Sequence, residues 1–297
     1  MSYRKKIAIF NKCVQAYQIL SGDDQEICIC PMCGIGFTIE AIDNKILTLE
    51  HIPPKSFGGK DILLTCAKCN NTAGYKLDSA IFRRQMNINL LTALTKKRAD
   101  FFGRVKLEIA GERLNFYLSI DSKTGQVDYK PAGNNPKAME KYRTAMEQFG
   151  KGGLWDGTFR TTTVHGYDVW LSKVGDLRLA YLAAFAVFGY SYIFNDRLSK
   201  IREQILNPDN KILSGFWQSL NFELNKKFLL VADKPINMLI AVLDHNMVIL
   251  PWIIGTENPY EELASMYTKG RAIQYSGTKY LWPDQVSLAC DFAKRIR

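Results

Sequence analysis

Four of the seven cysteines in this 297-residue chain form two Cys-x2-Cys pairs, Cys30/Cys33 and Cys66/Cys69. Two such pairs supply four thiolates for a tetrahedral zinc ion. With sulfur at all four positions no place is left for water, so the ion expected here is structural. Cys28 lies two residues ahead of the first pair but has no partner at that spacing, and Cys13 and Cys290 read as core thiols. Between the pairs stands Glu50-His51. A carboxylate oxygen suits a hard cation such as Mg2+ or Mn2+. An imidazole is the natural general base toward water at neutral pH. Asn70 follows the second pair directly and can offer a carbonyl oxygen as a second ligand. Asn71 is placed equally well, and an Asn in either place is also a common helix cap. In isolation a Glu-His pair is usually an ordinary surface feature; the cysteine pairs around this one make it the reactive candidate.

These residues need elements to hold them. Residues 5–20 carry helical spacing and end in a turn at Ser21-Gly22-Asp23-Asp24. A knuckle is expected at Pro31–Gly34, followed by strands around Phe37–Ala41 and Ile46–His51. A strand running into Pro53-Pro54 places Glu50 and His51 on opposite faces. From Cys69 to about Phe102 the chain reads as mostly helix, with Gly74 an early blemish and Leu77, Ile81, Leu90, Leu91 and Leu94 as its buried stripe.

Lys and Arg number 39 against 29 Asp and Glu, a formal net charge of +10. Such an excess points to a polyanionic partner, nucleic acid or an anionic membrane surface. With 47% hydrophobic residues the chain has the means to build a core throughout. The most apolar run, Leu179–Phe194, is shorter than the roughly 20 residues a membrane span needs. It reads as a buried helix. No secretory leader is visible, and an odd cysteine count with two Cys-x2-Cys pairs suits metal binding in a reducing, cytoplasmic compartment.

In order and spacing, residues 30–78 resemble the HNH endonuclease module, the ββα-metal fold, in its four-cysteine treble-clef form. The resemblance rests on Cys30-Pro31-Met32-Cys33, Glu50-His51-Ile52-Pro53-Pro54, Gly58-Gly59 and Cys66-Ala67-Lys68-Cys69-Asn70, with a tail similar to a subgroup carrying C-N-x-x-x-G. It covers about 50 of the 297 residues. Glu50 stands where Asp is commoner and Asn70 where many members have His. The middle Asn of the family pattern is absent, Asp61 or Ile62 occupying that stretch. The resemblance implies a DNA endonuclease of a defence, restriction or mobile-element kind. His51 would deprotonate the attacking water, and one Mg2+ or Mn2+ ion on Glu50 and Asn70 would stabilise the developing charge. Lys55, Lys60, Lys68, Lys76, Arg83 and Arg84 would then meet backbone phosphates of double-stranded DNA, with Thr95–Asp100 a second basic cluster. A homodimer or a regulatory protein partner remains open, and a zinc-stabilised nucleic-acid-binding module without catalysis is the alternative.

The expected fold is α+β: an N-terminal ββα-metal zinc module over 1–100, then a larger mixed α+β domain over 101–297 that positions DNA or regulates the nuclease. In that second part a β-meander over 104–131 leads to a helix from Pro136, a strand region at 157–172, and a helical stretch Leu177–Leu206 broken at Gly189-Tyr190. Strands are expected at Lys227–Ala232 and Asn246–Ile254, with a helix near Glu261–Met266. His165 and His245 lie in apolar strand contexts and read as core or strand-end residues, Asp168 and Asp244 do not read as catalytic acids, and Trp155, Trp170 and Trp282 read as core aromatics.

Overall fold

The structure is a computed structural model. It describes residues 2–96, 100–109, 112–150, 160–163, 166–220, 226–256, 258–267 and 273–288. The N-terminal helix α1 (Ser2–Ser21) precedes a two-stranded ribbon of β1 (Cys28–Ile29) and β2 (Gly36–Phe37). After a short helix α2 (Glu40–Asp43) comes the antiparallel hairpin of β3 (Leu47–Ile52) and β4 (Lys60–Cys66), which runs directly into α3 (Ala67–Ala73). A wider π-type turn, Gly74–Asp78, continues it into α4 (Ser79–Lys96).

The middle of the chain is a four-stranded antiparallel sheet of order β7-β6-β5-β8. Its strands are β5 (Phe101–Ile109), β6 (Glu112–Ile120), β7 (Val127–Pro131) and, after helix α5 (Pro136–Gly150), β8 (Arg160–Thr163). Period-two alternation buries Val105 and Leu107 of β5 and Leu114, Phe116, Leu118 and Ile120 of β6 on one face. Tyr142 of α5 meets Phe116 there at 5.3 Å between ring centres, and Leu90 and Ala93 of α4 join the same core. Leu91 and Leu94, expected in the buried stripe, are exposed. The stripe that packs is Leu90 with Ala93, three residues apart on one helix face.

The last part begins with helix α6 (Val169–Phe188), then α7 (Tyr190–Ile193) and α8 (Ser199–Leu206). Five antiparallel strands follow in the order β13-β10-β11-β12-β9. They are β9 (Trp217–Ser219), β10 (Lys227–Lys234), β11 (Met238–Leu243), β12 (Asn246–Pro251) and, beyond helix α9 (Pro259–Tyr267), β13 (Ser276–Leu281). Gly189 breaks the helical run with φ at +72°, a conformation that favours glycine.

Contacts gather this mixed α+β chain into two units, Met1–Ile81 with Val169–Arg297, and Phe82–Asp168. Residues 82–100 therefore lie with the central sheet, and residues 169–297 with the N-terminal segment. The reason is α6, which is buried over almost its whole length from Ser172 to Phe188. A helix apolar all round must be surrounded by other elements. At Gly175 it approaches the π-type turn so closely that a Cβ would sit 2.6 Å from Ile81 Cδ1 and 3.2 Å from the Leu77 carbonyl. Its buried Asp176 accepts from Trp217 Nε1 at 2.7 Å and Asn246 Nδ2 at 3.4 Å, which ties it to the C-terminal sheet.

Two local expectations are corrected. The strand expected at Phe37–Ala41 stops at Phe37, and Glu40–Asp43 is helical. There the Thr38 and Ile39 carbonyls accept from the Ala41 and Ile42 N–H groups, turning the backbone out of extension. The strand region expected to run to Leu171–Ser172 ends at Thr163 in β8, and α6 already begins at Val169. His165, Trp155, Cys290 and the Lys97-Arg98 part of the second basic cluster lie outside the described residues. Among the described residues no helix is long and apolar enough to cross a membrane.

Candidate active site and metal centre

The first cysteine pair sits in a tight turn closed by Gly34 N–H to the Cys30 carbonyl at 2.9 Å and by Cys30 N–H to the Ile35 carbonyl at 2.9 Å. Gly34 has φ at +74°, which lets the chain reverse immediately after Cys33. The second pair spans the junction of β4 and α3, so strand and helix start present Cys66 and Cys69 together. Two tyrosines of the α6–α7 region pin the knuckle. Tyr181 Oη donates to the Pro31 carbonyl at 2.8 Å, and Tyr190 Oη bridges the Ile29 carbonyl (2.8 Å) and N–H (3.0 Å).

The sulfurs of Cys30, Cys33, Cys66 and Cys69 all lie within 4.8 Å of one another. Zinc–sulfur bonds of about 2.3 Å in a tetrahedron put sulfurs about 3.8 Å apart, and Cys33 Sγ to Cys66 Sγ is 3.8 Å. The Cys66 sulfur also accepts the Cys69 N–H at 3.5 Å and the Cys30 sulfur that of Cys66 at 3.4 Å, contacts that favour thiolate over thiol. Cys66 pulls the Cys30 thiol down, but the Cys69 sulfur and burial outweigh it, and Cys30 is pushed up to about 12. Its neighbour Cys30 and burial push Cys66 up as well. Four crowded sulfurs of this kind become thiolates when a cation neutralises them, and their donor set and spacing fit a structural metal such as zinc. Cys28 stands apart, buried against Cys13 of α1.

The hairpin carries the second cluster. Gly58 closes its turn with φ at +72°, and a Cβ on Gly59 would fall 1.5 Å from the Pro53 carbonyl oxygen, so only glycine fits there. A β-bulge shifts the register between Glu50 and His51: Glu50 pairs with Leu63, and His51 with Asp61. Ile62 is the extra residue and is buried. Glu50 and His51 then face apart, as expected. Glu50 is only 3% exposed, its Oε2 2.7 Å from Arg178 Nη2 and 3.4 Å from Thr65 Oγ1. Arg178 comes from α6, is 1% exposed, and also holds Asp78 Oδ1 at 3.1 Å. Burial pushes the Glu50 carboxyl up, Arg178 pulls it back and Asp78 raises it again, leaving it above its ordinary value. Asp78 is raised too, chiefly by burial, against the pull of Arg178 and His51.

His51 is partly exposed, and its Nε2 pairs with Asp61 Oδ1. Asn70 lies on α3 against β3: its Nδ2 donates to Thr48 Oγ1 at 3.0 Å and to the Leu49 carbonyl at 3.1 Å. A carbonyl accepts only, so the amide nitrogen faces the strand and Oδ1 is turned from it. The elements thus bring Glu50, His51 and Asn70 onto one hairpin-and-helix unit. Glu50, however, carries a guanidinium. The oxygens match a hard divalent ion in type, but with Arg178 on Glu50 their arrangement does not fit a resident one.

The expected phosphate-binding cations differ in their freedom. Lys55, Lys68 and Arg83 are exposed. Lys60 pairs with Asp284 at 3.4 Å and Lys76 with Asp209 at 2.6 Å. Arg84 is buried and is not a surface cation; it lies on the inward side of α4, while Arg83 next to it points out. His245 sits in the turn between β11 and β12, its carbonyl accepting from Leu220 N–H at 2.7 Å. Asp244 in the same turn pairs with Lys227 at 2.8 Å. Arg178, Asp78 and Thr65 were not singled out by sequence. The one available signal was an arginine within the otherwise apolar Leu177–Phe188 stretch, which needs a buried acid to face it. No family model, no curated protein and no solved structure matches the chain.

Proposed function

We propose that the hairpin of β3 and β4 with helix α3, stapled by zinc on the four cysteines, is the site of an HNH-type endonuclease that hydrolyses phosphodiester bonds in DNA. The observation that carries this reading is the placement of His51. It stands on the same hairpin that carries Cys66 of the knuckle, partly exposed and against a carboxylate, where an imidazole can take a proton from water. His51 is the general base in this reading. Asn70 ties α3 to β3 and so holds the strand that presents His51. Arg178 bridges buried Glu50 and partly exposed Asp78, offsetting the repulsion between the two carboxylates. The exposed Lys55 and Lys68 lie on the same unit and supply charge for backbone phosphates. The net charge of +10 agrees with a nucleic-acid partner.

A second reading is favoured by one feature. Because Glu50 already carries Arg178, the unit would serve as a zinc-stabilised DNA-binding module without hydrolysis. Supercoiled plasmid incubated with the full chain in Mg2+, in Mn2+ and in EDTA separates the two. Conversion to relaxed or linear DNA in the metal arms, absent in EDTA at unchanged zinc content, supports a nuclease that gains a divalent ion on binding DNA. Conversion in all three arms supports hydrolysis without one. Tight, salt-sensitive binding with intact plasmid throughout supports the binding module.

A further inference from the structure

We propose that the outward face of the central sheet binds single-stranded DNA, stacking unpaired bases on Phe102 and Tyr117 and holding the backbone with Arg104, Lys106 and Lys130. The two faces of this sheet differ. Helices α4 and α5 pack on the one that carries Val105, Leu107 and Phe116. The alternate residues of each strand point the other way. There Phe102 is 70% exposed. Its ring lies parallel to that of Tyr117, with 5.7 Å between centres and 3° between planes. Arg104 stands directly across from Tyr117 on β5 and donates to its hydroxyl from Nη2 at 2.8 Å and from Nε at 3.2 Å. Lys130 stands directly across from Tyr117 on β7. The tyrosine is thus set between two cations, with Phe102 beside it and Lys106 the next outward residue after Arg104. Among the described residues, the acids on this face are Glu108, paired with Arg113 at 3.7 Å, and Asp128, across Ser119 from Phe102. Positive charge is left in excess.

Flat exposed rings suit the faces of unpaired bases, and cations between the rings meet the phosphates. A duplex fits poorly. Its bases are stacked on each other, and its major groove admits a helix or a two-stranded ribbon, not a sheet four strands wide. Exposed rings alone would serve a protein partner equally well; cations set among them favour a polyanion. The choice of DNA as the polymer rests on the proposed function, whereas the stacking face stands without it.

The test is fluorescence anisotropy with the full, zinc-loaded chain and no added divalent ion, so that binding is read without cleavage. The probes are a labelled oligothymidylate of about 15 nucleotides, an oligouridylate and a DNA duplex of the same length. Phe102→Ala removes a ring that is mostly in solvent, so zinc content and circular dichroism should match wild type. Its Kd for oligothymidylate should rise about 10-fold or more, with the salt slope and the Kd for duplex unchanged. Phe102→Tyr should restore wild-type binding. Lys106→Gln and Lys130→Gln should each lower the salt slope by about 0.7. Wild type that does not bind oligothymidylate, or equal binding by Phe102→Ala, overturns the proposal. Phe102-dependent binding of oligouridylate alone overturns the choice of DNA. Intact plasmid under every metal condition, beside Phe102-dependent binding of oligothymidylate, brings down the nuclease reading and supports this one.

Discussion

The four-sulfur knuckle and the Glu50–Arg178–Asp78 cluster lie in one unit, and each gathers polar side chains of the N-terminal segment. They are built in opposite ways. The knuckle draws its donors from two pairs of closely spaced residues, and the cation it could hold would come from outside the chain. The carboxylate cluster draws its cation from the chain itself, from a helix 100 residues beyond Asp78. The knuckle is therefore a set of closely spaced donors fit for a metal, whereas the cluster is a long-range device that needs α6 in place. A guanidinium that bridges two carboxylates at 2.7 and 3.1 Å ties the N-terminal segment to α6 within one unit.

Removing the metal should have the largest effect, because structural zinc is worth about 10–16 kcal/mol in small metal-folded domains. Zinc analysis of the purified chain should give one ion per chain. Cys66→Ala should lose it together with the native circular dichroism of the N-terminal segment. An equal zinc content in wild type and Cys66→Ala would end the comparison at its first term.

Arg178→Met is the matching test of the second cluster. It leaves buried Glu50 and partly exposed Asp78 without their cation and should cost about 3–5 kcal/mol in denaturant unfolding, with zinc retained. The pH dependence has a defined sign. Both carboxyls are raised in the folded chain, chiefly by burial. Their contribution is thus fully present below the ordinary carboxylate range and lost as pH rises through the raised values. Stability from this cluster should increase as pH falls from 7 toward 4, and Glu50→Gln should flatten that slope. A slope of the opposite sign would mean that pairing with Arg178, not burial, dominates.

Tyr190→Phe tests the bond between the two constructions. It removes the hydroxyl that satisfies both the N–H and the carbonyl of Ile29 and should cost about 1–3 kcal/mol, with zinc content unchanged. The smallest effect is expected from the exposed Lys55 and Lys68. Replacing either with Gln should leave folding untouched and lower the salt slope of DNA binding by about one.

What could be read from the sequence follows the same division. The cysteine pairs, the alternation of Glu50 and His51, the need for glycine at Gly58-Gly59 and the helical break at Gly189 are all set by neighbours a few residues away. The β-meander of β5 to β7 was legible for the same reason, from alternation and turn residues. Arg178 as the partner of Glu50 was not, because nothing near position 50 specifies which distant helix packs beneath it. Strand β11 also escaped notice. Met238–Leu243 is buried on both faces and so shows no alternation, while β13, exposed on the sheet edge, is too polar to announce itself. Asp61 stood in the right stretch, but its place opposite His51 depends on a one-residue bulge that periodicity does not reveal.

The central claim is that His51 performs hydrolysis on a zinc-stapled hairpin, and the most direct measurement is plasmid cleavage by His51→Ala beside wild type at equal zinc content and equal thermal stability. Nicking by wild type is expected, with a loss of about 10²–10⁴-fold in the variant, the range a general base contributes. Equal cleavage by the two proteins would contradict it.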